Sequence, residues 1–291
     1  MIDPIAFTVI IPAHNEEAVI ARCLQTATRD APVNHRMQVI VAANGCHDRT
    51  VEIARRTAPE ALVLDLPQGS KTLAMNEAGR HARHFPRIYL DADVQCEYSA
   101  LAALAEELAR PGVMAASPAL KMDLSRSGWL VRAYYRVWLT QPYVNRAMVG
   151  SGCFGISRAG FDRIGEFPPI TGDDIWVHTR FTEAERRNVA QDASGQPIGF
   201  LVSPPRRIID QIRIDTRRRL GNQQALRLFP APNFPGSNTA GDLRLALQNG
   251  AGLADVAIYL VVKLITRIRT TWIKRRRKTI VWERDLAARE M

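Results

Sequence analysis

Four short apolar runs alternate with longer amphipathic segments over the first third of the chain. The runs lie at residues 6–11, 37–42, 61–66 and 87–91, and helical spacing of apolar residues is visible between them. Short continuous runs rich in Val, Ile and Leu are typical of parallel strands buried on both faces. The strand and helix rhythm therefore predicts an α/β fold: a doubly wound, mostly parallel sheet flanked by helices.

Polar clusters follow three of these runs, at residues 12–17, 43–48 and 91–93. In doubly wound sheets, ligands bind beyond the carboxyl ends of the strands. Asp91 and Asp93 share one face if the extended geometry continues through them. Two such carboxylates repel each other unless a cation lies between them, and a divalent metal that holds a phosphate meets that need. The pair alone fits a polar turn equally well.

Three later segments add candidate chemistry. Residues 150–152 are a tight run of small residues, where backbone can approach a ligand closely. Asp173 and Asp174 precede an apolar helix, and a helix cap explains one aspartate at most, so the second favours catalysis. The arginine-rich stretch at 206–219 fits either a solvated helix face or a phosphate-binding segment.

Composition narrows the classes of protein. A chain of 291 residues that is 46% hydrophobic and 23% charged builds a sizeable core. Its net charge of +10 indicates an anionic partner, such as nucleic acid, a membrane surface or phosphorylated substrates. The four cysteines are scattered without a Cys-x-x-Cys pair, which argues against structural zinc. Neither a dinucleotide fingerprint nor a P-loop occurs.

The end of the chain is apolar and then strongly basic. Residues 253–262 are apolar except for Asp255 and are too short to span a bilayer. The residues that follow place an apolar face beside a cationic one at helical spacing, which predicts that residues 253–282 anchor the chain to an anionic membrane surface. Nucleic-acid binding is an alternative explanation of these charges. No DNA- or RNA-binding module is recognisable, however, so we expect no nucleic-acid partner. The basic residues are Lys263, Arg267, Arg269, Lys274, Arg275, Arg276, Arg277 and Lys278; the apolar ones are Leu264, Ile265, Ile268, Trp272 and Ile273.

Neither a secretory signal nor a stretch of about 18 uncharged apolar residues is visible in the sequence. We therefore expect a cytoplasmic protein that associates peripherally with the inner face of the cell membrane.

Taken in order, these clusters resemble the family 2 glycosyltransferases, inverting enzymes with the GT-A fold. The resemblance covers roughly residues 6–225. It implies a GT-A catalytic domain at 1–227. The residues beyond it are rich in Pro and Gly and predict a flexible loop or linker at 228–252, before the basic amphipathic helical tail at 253–291. The elements that carry it are Val9-Ile-Ile-Pro-Ala-His-Asn-Glu-Glu17, Ala43-Asn-Gly-Cys-His-Asp-Arg-Thr50, Gly69-Ser-Lys71 with Asn76, Asp91-Ala-Asp93, Gly150-Ser-Gly152 before Arg158, Gly172-Asp-Asp174, and residues 213–222.

The resemblance implies a nucleotide diphospho-sugar donor, from which a hexosyl or related group is transferred. Asp91 and Asp93, the family's Asp-x-Asp (DxD) motif, would hold ribose and a Mg²⁺ or Mn²⁺ that bridges the diphosphate, with Asp93 the more direct ligand. Pro12, Ala13 and Glu16 would line the base and ribose pocket, and the family commonly contacts the base from the position of Ala43-Asn44. Lys71 would approach the nucleotide, and the end of the basic segment would close over the diphosphate. The implied donor site comprises Pro12, Ala13, Glu16, Asn44, Lys71, Asp91, Asp93, Arg217, Arg218 and Arg219.

On the acceptor side, the resemblance implies Gly150, Ser151 and Gly152 as lining and Asp174 as general base, with Asp173 beside it. A carboxylate suits the task, because it takes a proton from the attacking hydroxyl. The acceptor remains open, with a lipid-linked one suggested by the tail.

The chain departs from the family at Ala43-Asn44, where two aspartates are common, and this leaves the nucleotide open. The pair Asp173-Asp174 replaces a common Glu-Asp, which leaves open which carboxylate is the base. Two alternative functions also remain: a sugar-phosphate nucleotidyltransferase, and a non-enzymatic adaptor that binds membrane or nucleic acid. The first lacks a Gly-rich basic loop after the first strand, and the second leaves the Asp and Arg clusters unexplained.

Overall fold

The computed structural model describes residues 5–141, 144, 149–231 and 240–276. Backbone contacts divide the chain into two units. The sheet unit comprises Met1–Lys121 and Ala147–Val202, and the helical unit comprises Met122–Arg146 and Ser203–Met291.

The strands, in chain order, are β1 (Phe7–Ala13), β2 (Met37–Asn44), β3 (Leu62–Leu66), β4 (Arg87–Leu90), β5 (Gln95–Cys96), β6 (Ala115–Pro118), β7 (Leu120–Met122), β8 (Cys153–Ile156), β9 (Arg186–Val189) and β10 (Phe200–Val202). The helices are α1 (Ile20–Thr28), α2 (Thr50–Thr57), α3 (Lys71–His81), α4 (Tyr98–Leu108), α5 (Trp129–Trp138), α6 (Arg158–Ile164), α7 (Asp173–Arg180), α8 (Ile208–Leu228), α9 (Ala240–Gln248) and α10 (Leu253–Arg276). A short 3₁₀ turn covers Glu183–Glu185.

The described strands form one large sheet and one small sheet. The large sheet has the order β3-β2-β1-β4-β8-β6-β9, and the small one has the order β5-β10-β7. Neighbours are parallel from β3 to β4 and between β6 and β9, whereas β8 is antiparallel to both β4 and β6. The prediction of a mostly parallel, doubly wound sheet is therefore confirmed.

The first four strands follow the predicted apolar runs, with small differences at their ends. Strand β1 continues through Pro12 to Ala13, and α1 begins at Ile20 instead of Glu16. Helix α1 buries Ile20, Cys23, Leu24 and Ala27 at helical spacing against the sheet core. These apolar contacts fix the carboxyl ends of the central strands, where the polar clusters lie.

Strand β8 was not predicted, because Cys153-Phe-Gly-Ile156 is short and contains a glycine. The glycine has a packing reason, because a Cβ on Gly155 would clash with Leu108 Cδ1. Cys153 pairs with Leu90 at the end of β4. The run of small residues at 150–152 is therefore a turn that leads into the centre of the sheet, beside Asp91.

In the helical unit, a buried polar network joins α5, α8 and α10. Tyr134 Oη donates to Asp215 Oδ2 over 2.8 Å, and Lys263 Nζ donates to both of these atoms over 2.9 Å. Arg136 donates two hydrogen bonds to Asp255, of 2.9 and 2.6 Å. Helix α10 is thus packed into the unit, and is not a free tail.

The prediction for the basic tail needs two corrections. Lys263 is bonded to buried Asp215, so it does not belong to an exposed cationic face. Ile273 is buried, because it lies on the same side of α10 as Tyr259 and Val262, which pack inward. Arg277 and Lys278 lie outside the described residues. None of the described helices is long and apolar enough to cross a membrane.

The domain boundaries at 227 and 252 stay a prediction. Within the segment 228–252, however, residues 240–248 form α9, so that part is helical where a loop was expected.

Candidate active site

The ends of β1 and β2 are joined by a buried asparagine. Asn44 Nδ2 donates to Ala13 O over 2.8 Å and to Ala42 O over 3.2 Å. Both hydrogens of its amide nitrogen are therefore used by the backbone. A role for Asn44 in base recognition stays a prediction, but its amide nitrogen is already committed to holding the two strand ends.

The loops beyond these strands lie close together. Gly45 has a φ of +56° and its added Cβ would lie 2.7 Å from Gly69 N, so the two loops meet at a glycine-to-glycine contact. Glu16 is buried, and its backbone N–H donates to Thr50 Oγ1 over 2.7 Å. Pro12 and Ala13 are buried at the end of β1. The predicted base and ribose residues are thus brought to one edge of the sheet.

The strand argument for Asp91 and Asp93 was wrong in its geometry. Strand β4 ends at Leu90, and Val94 N donates to Asp91 O over 3.0 Å, which closes a four-residue turn. Strand alternation therefore does not set the direction of Asp93, whose position in the turn leaves it exposed. The alternative of a polar turn is correct for the backbone, and leaves the chemistry of the two carboxylates open.

Lys71 joins two acidic segments that are distant in the sequence. Its Nζ lies 2.8 Å from Asp91 Oδ1 and 2.9 Å from Asp173 Oδ2. Lys71 is the first residue of α3, after Ser70, whose Oγ accepts a hydrogen bond from Leu73 N. The ammonium therefore sits between the end of β4 and the start of α7.

The charged side chains of this cluster lie close enough to shift one another's pKa. Burial alone would lower the pKa of Lys71, but Asp173 and Asp91 outweigh it and hold that pKa above its ordinary value. Burial raises the pKa of Asp173 to about 6, against the opposing effect of Lys71. Asp174 and Asp91 add to this rise. Lys71 is therefore a fixed cation among acidic side chains whose combined negative charge exceeds its own positive charge.

The turn at 150–152 packs its backbone against both acidic segments. Gly150, Ser151 and Gly152 all have positive φ, at +133°, +60° and +107°. Gly152 O accepts a hydrogen bond of 2.8 Å from Asp91 N. A Cβ on Gly150 would lie 2.7 Å from Asp174 Cβ, so only glycine fits there.

Helix α7 starts at the aspartate pair. Asp173 and Asp174 are its first two residues after Gly172, so neither is the N-cap. Carboxylates in the first turn are stabilised by the helix dipole. Asp173 is 4% exposed, whereas Asp174 is only partly buried. Asp174 is therefore the more accessible of the two candidate bases.

Sequence reasoning missed His178, one turn after Asp174 on α7. Its Nδ1 accepts a hydrogen bond of 3.3 Å from Val149 N, at the entrance to the 150–152 turn. Burial, together with the adjacent Arg186 guanidinium, lowers the pKa of His178 to about 3. His178 is thus a neutral acceptor that holds the turn. A signal was available in its spacing of four residues from Asp174, which places both on one helix face.

Asn76 also has a positioning role. Its side chain donates to Phe167 O over 2.9 Å and accepts from Phe167 N over 2.8 Å. This pair of hydrogen bonds ties α3 to the segment that leads into α7.

Comparison with known proteins identifies the fold and the family. The sequence profile described as "Glycosyl transferase family 2" matches residues 8–165, more than half of the chain. The chain belongs to this family. The family prediction and the enzyme class, glycosyltransferase, are therefore confirmed.

Solved structures of similar fold include two kinds of glycosyltransferase. A mannosyltransferase from Pyrobaculum calidifontis, in complex with GDP-Man and Mn²⁺, is 19% identical with a TM-score of 0.61, over 92% of this chain and 87% of that one. Glucosyl-3-phosphoglycerate synthase from Mycobacterium tuberculosis, with Mn²⁺, UDP and phosphoglyceric acid, is 18% identical with a TM-score of 0.54, over 80% of each chain. The same synthase with Mg²⁺ and UDP also has a TM-score of 0.54. These likenesses confirm the GT-A fold. No curated protein matches the sequence.

The glycosyltransferase's candidate metal residues fit a metal that its substrate helps to hold. The described residues contain no group of three or more His, Cys, Asp or Glu arranged to bind an ion. Asp91 and Asp93 supply hard carboxylate oxygens at a partly open turn. Mg²⁺ is commonly held by one or two carboxylates together with substrate phosphates. The ammonium of Lys71 on Asp91 also shows that this position attracts positive charge.

The predicted diphosphate-binding arginines lie on a regular helix. Arg217, Arg218 and Arg219 are half-buried residues of α8, and the Arg218 guanidinium lies 5.7 Å from the centre of a Trp138 ring. Burial, with Arg267 nearby, lowers the pKa of Arg219. Their closing over a diphosphate stays a prediction.

Proposed function

We propose that this glycosyltransferase is metal-dependent and inverting, and transfers a sugar from a nucleotide diphospho-sugar to an acceptor hydroxyl. The observation that carries the proposal is the convergence of Asp91 and Asp173 on Lys71, in a family 2 glycosyltransferase whose Gly150 backbone touches Asp174. Residues from four separate segments thus assemble one acidic site at the carboxyl edge of the sheet.

The donor half of the site would use Pro12, Ala13 and Glu16 for the base and ribose, and Asp91 and Asp93 for the metal. The solved relatives that contain Mn²⁺ or Mg²⁺ with a nucleotide support this assignment. When bound, the metal supplies charge stabilisation for the departing diphosphate. Arg217, Arg218 and Arg219, on α8 of the helical unit, carry guanidinium groups whose planar geometry suits phosphate oxygens, and their part in diphosphate binding stays a prediction.

The acceptor half would use Asp174 as the general base. Asp174 is more open than Asp173, and its Oδ1 accepts a hydrogen bond from Ile175 N over 2.8 Å, which fixes the carboxylate. The carboxylate would take the proton from the acceptor hydroxyl as its oxygen attacks the anomeric carbon. A single displacement inverts that carbon. Asp173 would remain paired with Lys71 as a structural charge.

We further propose that the enzyme acts at the cytoplasmic face of the membrane, on an amphipathic, lipid-linked acceptor. The support is the outer side of α10. Leu260, Val261, Leu264, Ile265, Ile268 and Trp272 are exposed along it, at helical spacing. Exposed Arg267, Lys274, Arg275 and Arg276 flank them. An apolar stripe bordered by cations suits an interface of acyl chains and anionic headgroups.

The enzymatic part is tested with a panel of UDP- and GDP-sugars, measuring release of the nucleoside diphosphate with Mn²⁺ or Mg²⁺. We expect turnover that Asp93→Ala and Asp174→Asn reduce by about 100-fold or more. Asp65→Asn, on the exposed side of β3, is a control that should keep wild-type turnover. Full activity in the Asp93 and Asp174 variants would refute the site assignment.

The membrane part is tested by sedimentation with vesicles of anionic or neutral lipid. Leu264→Glu should release the protein from anionic vesicles. Leu228→Glu is a matched control, since Leu228 is 56% exposed and Leu264 is 57% exposed. A wild-type protein that stays in solution with anionic vesicles, or a Leu264→Glu variant that still binds, would refute membrane association through α10.

A further inference from the structure

Lys71 bonds to one of the two candidate metal carboxylates. Its Nζ lies 2.8 Å from Asp91 Oδ1, within the distance of a strong charge-assisted hydrogen bond. Its backbone is fixed at the start of α3, and the backbone of Asp91 is fixed by Gly152 O. The contact is therefore built into the fold from both sides.

The same ammonium has a second partner that is more deeply buried. Asp173 Oδ2 lies 2.9 Å away, and the Asp173 side chain is only 6% exposed, against 36% for Asp91. A buried carboxylate that loses the cation beside it is costly, whereas a partly exposed one regains water or another cation. When a second cation competes for Asp91, the Lys71 ammonium should thus stay bonded to Asp173 and release Asp91.

A divalent ion at Asp91 creates that competition. Two cations close to one carboxylate repel each other, and the repulsion is stronger at a half-buried site than in water. A bound diphosphate brings enough negative charge to compensate both cations. The arrangement therefore opposes a metal that arrives alone and tolerates a metal that arrives with a diphosphate.

We propose that Lys71 is a resident cation that competes with the metal for Asp91, and so couples metal binding to the arrival of the nucleotide. This inference rests on the proposed function, since it assumes a metal at Asp91 and Asp93. Lys71 is then a positioning residue: it holds Asp173 throughout, and it suppresses binding of the metal alone.

The test is a Mn²⁺ titration of the nucleotide-free protein, with free Mn²⁺ measured by electron paramagnetic resonance. Lys71→Met should bind Mn²⁺ more tightly than wild type, on the order of tenfold. Lys71→Arg keeps the charge and should stay near wild type. Lys121→Met is the control for net charge, since Lys121 is exposed on β7. Lys71→Gln replaces Lys71→Met if the latter fails to fold, as judged by its thermal melt.

A second titration in UDP or GDP separates this inference from the proposed function. In wild type the nucleoside diphosphate should tighten Mn²⁺ binding strongly, and in Lys71→Met that gain should shrink by the same factor of about ten. Equal or weaker Mn²⁺ binding by Lys71→Met, or by Lys71→Gln where it replaces that variant, overturns the role of Lys71 while leaving the metal site intact. If wild type binds no Mn²⁺ with any nucleoside diphosphate, the proposed function itself fails.

Discussion

Gly150→Ala is expected to disable the enzyme by displacing its proposed base. The new Cβ would lie 2.7 Å from Asp174 Cβ and 3.1 Å from Asp174 Oδ2. Ordinary contact begins at 3.4 Å, so one of the two segments has to move by about 0.7 Å. Misplacing a reacting group by about 1 Å costs up to about 100-fold in rate. We therefore predict a fall in kcat of about 10- to 100-fold.

The φ of +133° at Gly150 adds backbone strain, which needs its own control. Gly165 also has a positive φ, of +69°, but its added Cβ meets nothing within 4 Å. Gly165→Ala should therefore cost about 1–3 kcal/mol of stability through backbone strain, with kcat unchanged. Comparing the two variants separates strain from the clash with Asp174.

The assay measures nucleoside diphosphate release together with donor affinity and melting temperature. Donor affinity should survive in Gly150→Ala, because Asp91 contacts the other end of the turn through Gly152 O. A folded Gly150→Ala variant with wild-type kcat would refute the view that this turn positions the catalytic carboxylate.

Three further predictions concern stability. The pKa of His178 lies near 3 in the folded chain and at 6.5 in the unfolded one, so the unfolded state binds the proton first as the pH falls. The free energy of unfolding of wild type should therefore drop by about 2 kcal/mol between pH 7 and pH 5. Urea unfolding of His178→Gln at both pH values should lack that drop. A variant whose free energy of unfolding falls with pH as much as that of wild type would contradict this origin. Lys263→Met leaves Asp215 buried without its cation and should lower the free energy of unfolding by about 3 kcal/mol. Adding Asp215→Asn should recover most of that stability; if it does not, the unpaired charge of Asp215 is not the cause. Asn76→Ala removes two hydrogen bonds to Phe167 and should lower stability by about 2 kcal/mol, measured by thermal melt. An unchanged Tm would show that these hydrogen bonds do not stabilise the fold.

The parallel core was predictable from the sequence because its signals are local. The runs that form β1 to β4 are continuous and apolar, and each is followed by a polar cluster. The family resemblance then gave the enzyme class, which the family match confirms, whereas the roles of the acidic segments stay a prediction. Strand β8 escaped because its four residues include Gly155, whose purpose is visible only against Leu108 of another element.

Long-range contacts account for the rest of what sequence reasoning missed. The assignment of Lys71 to the nucleotide stays a prediction, but its contacts with two carboxylates, 20 and 102 positions later in the chain, were not anticipated. Lys263 was counted in a cationic face because the acid that neutralises it, Asp215, lies on another helix. Helical spacing gives the direction of a side chain but does not show what it meets.

The most direct test of the central claim is a thermal-shift panel of nucleoside diphosphates with and without Mn²⁺. We predict that one nucleoside diphosphate raises the Tm of wild type only when Mn²⁺ is present. A ligand at about 100 times its Kd adds roughly 2.7 kcal/mol, which such a melt resolves. Asp93→Ala should abolish the shift. No shift with any nucleoside diphosphate, or an equal shift in Asp93→Ala, would contradict a metal-assisted diphosphate site at the end of β4.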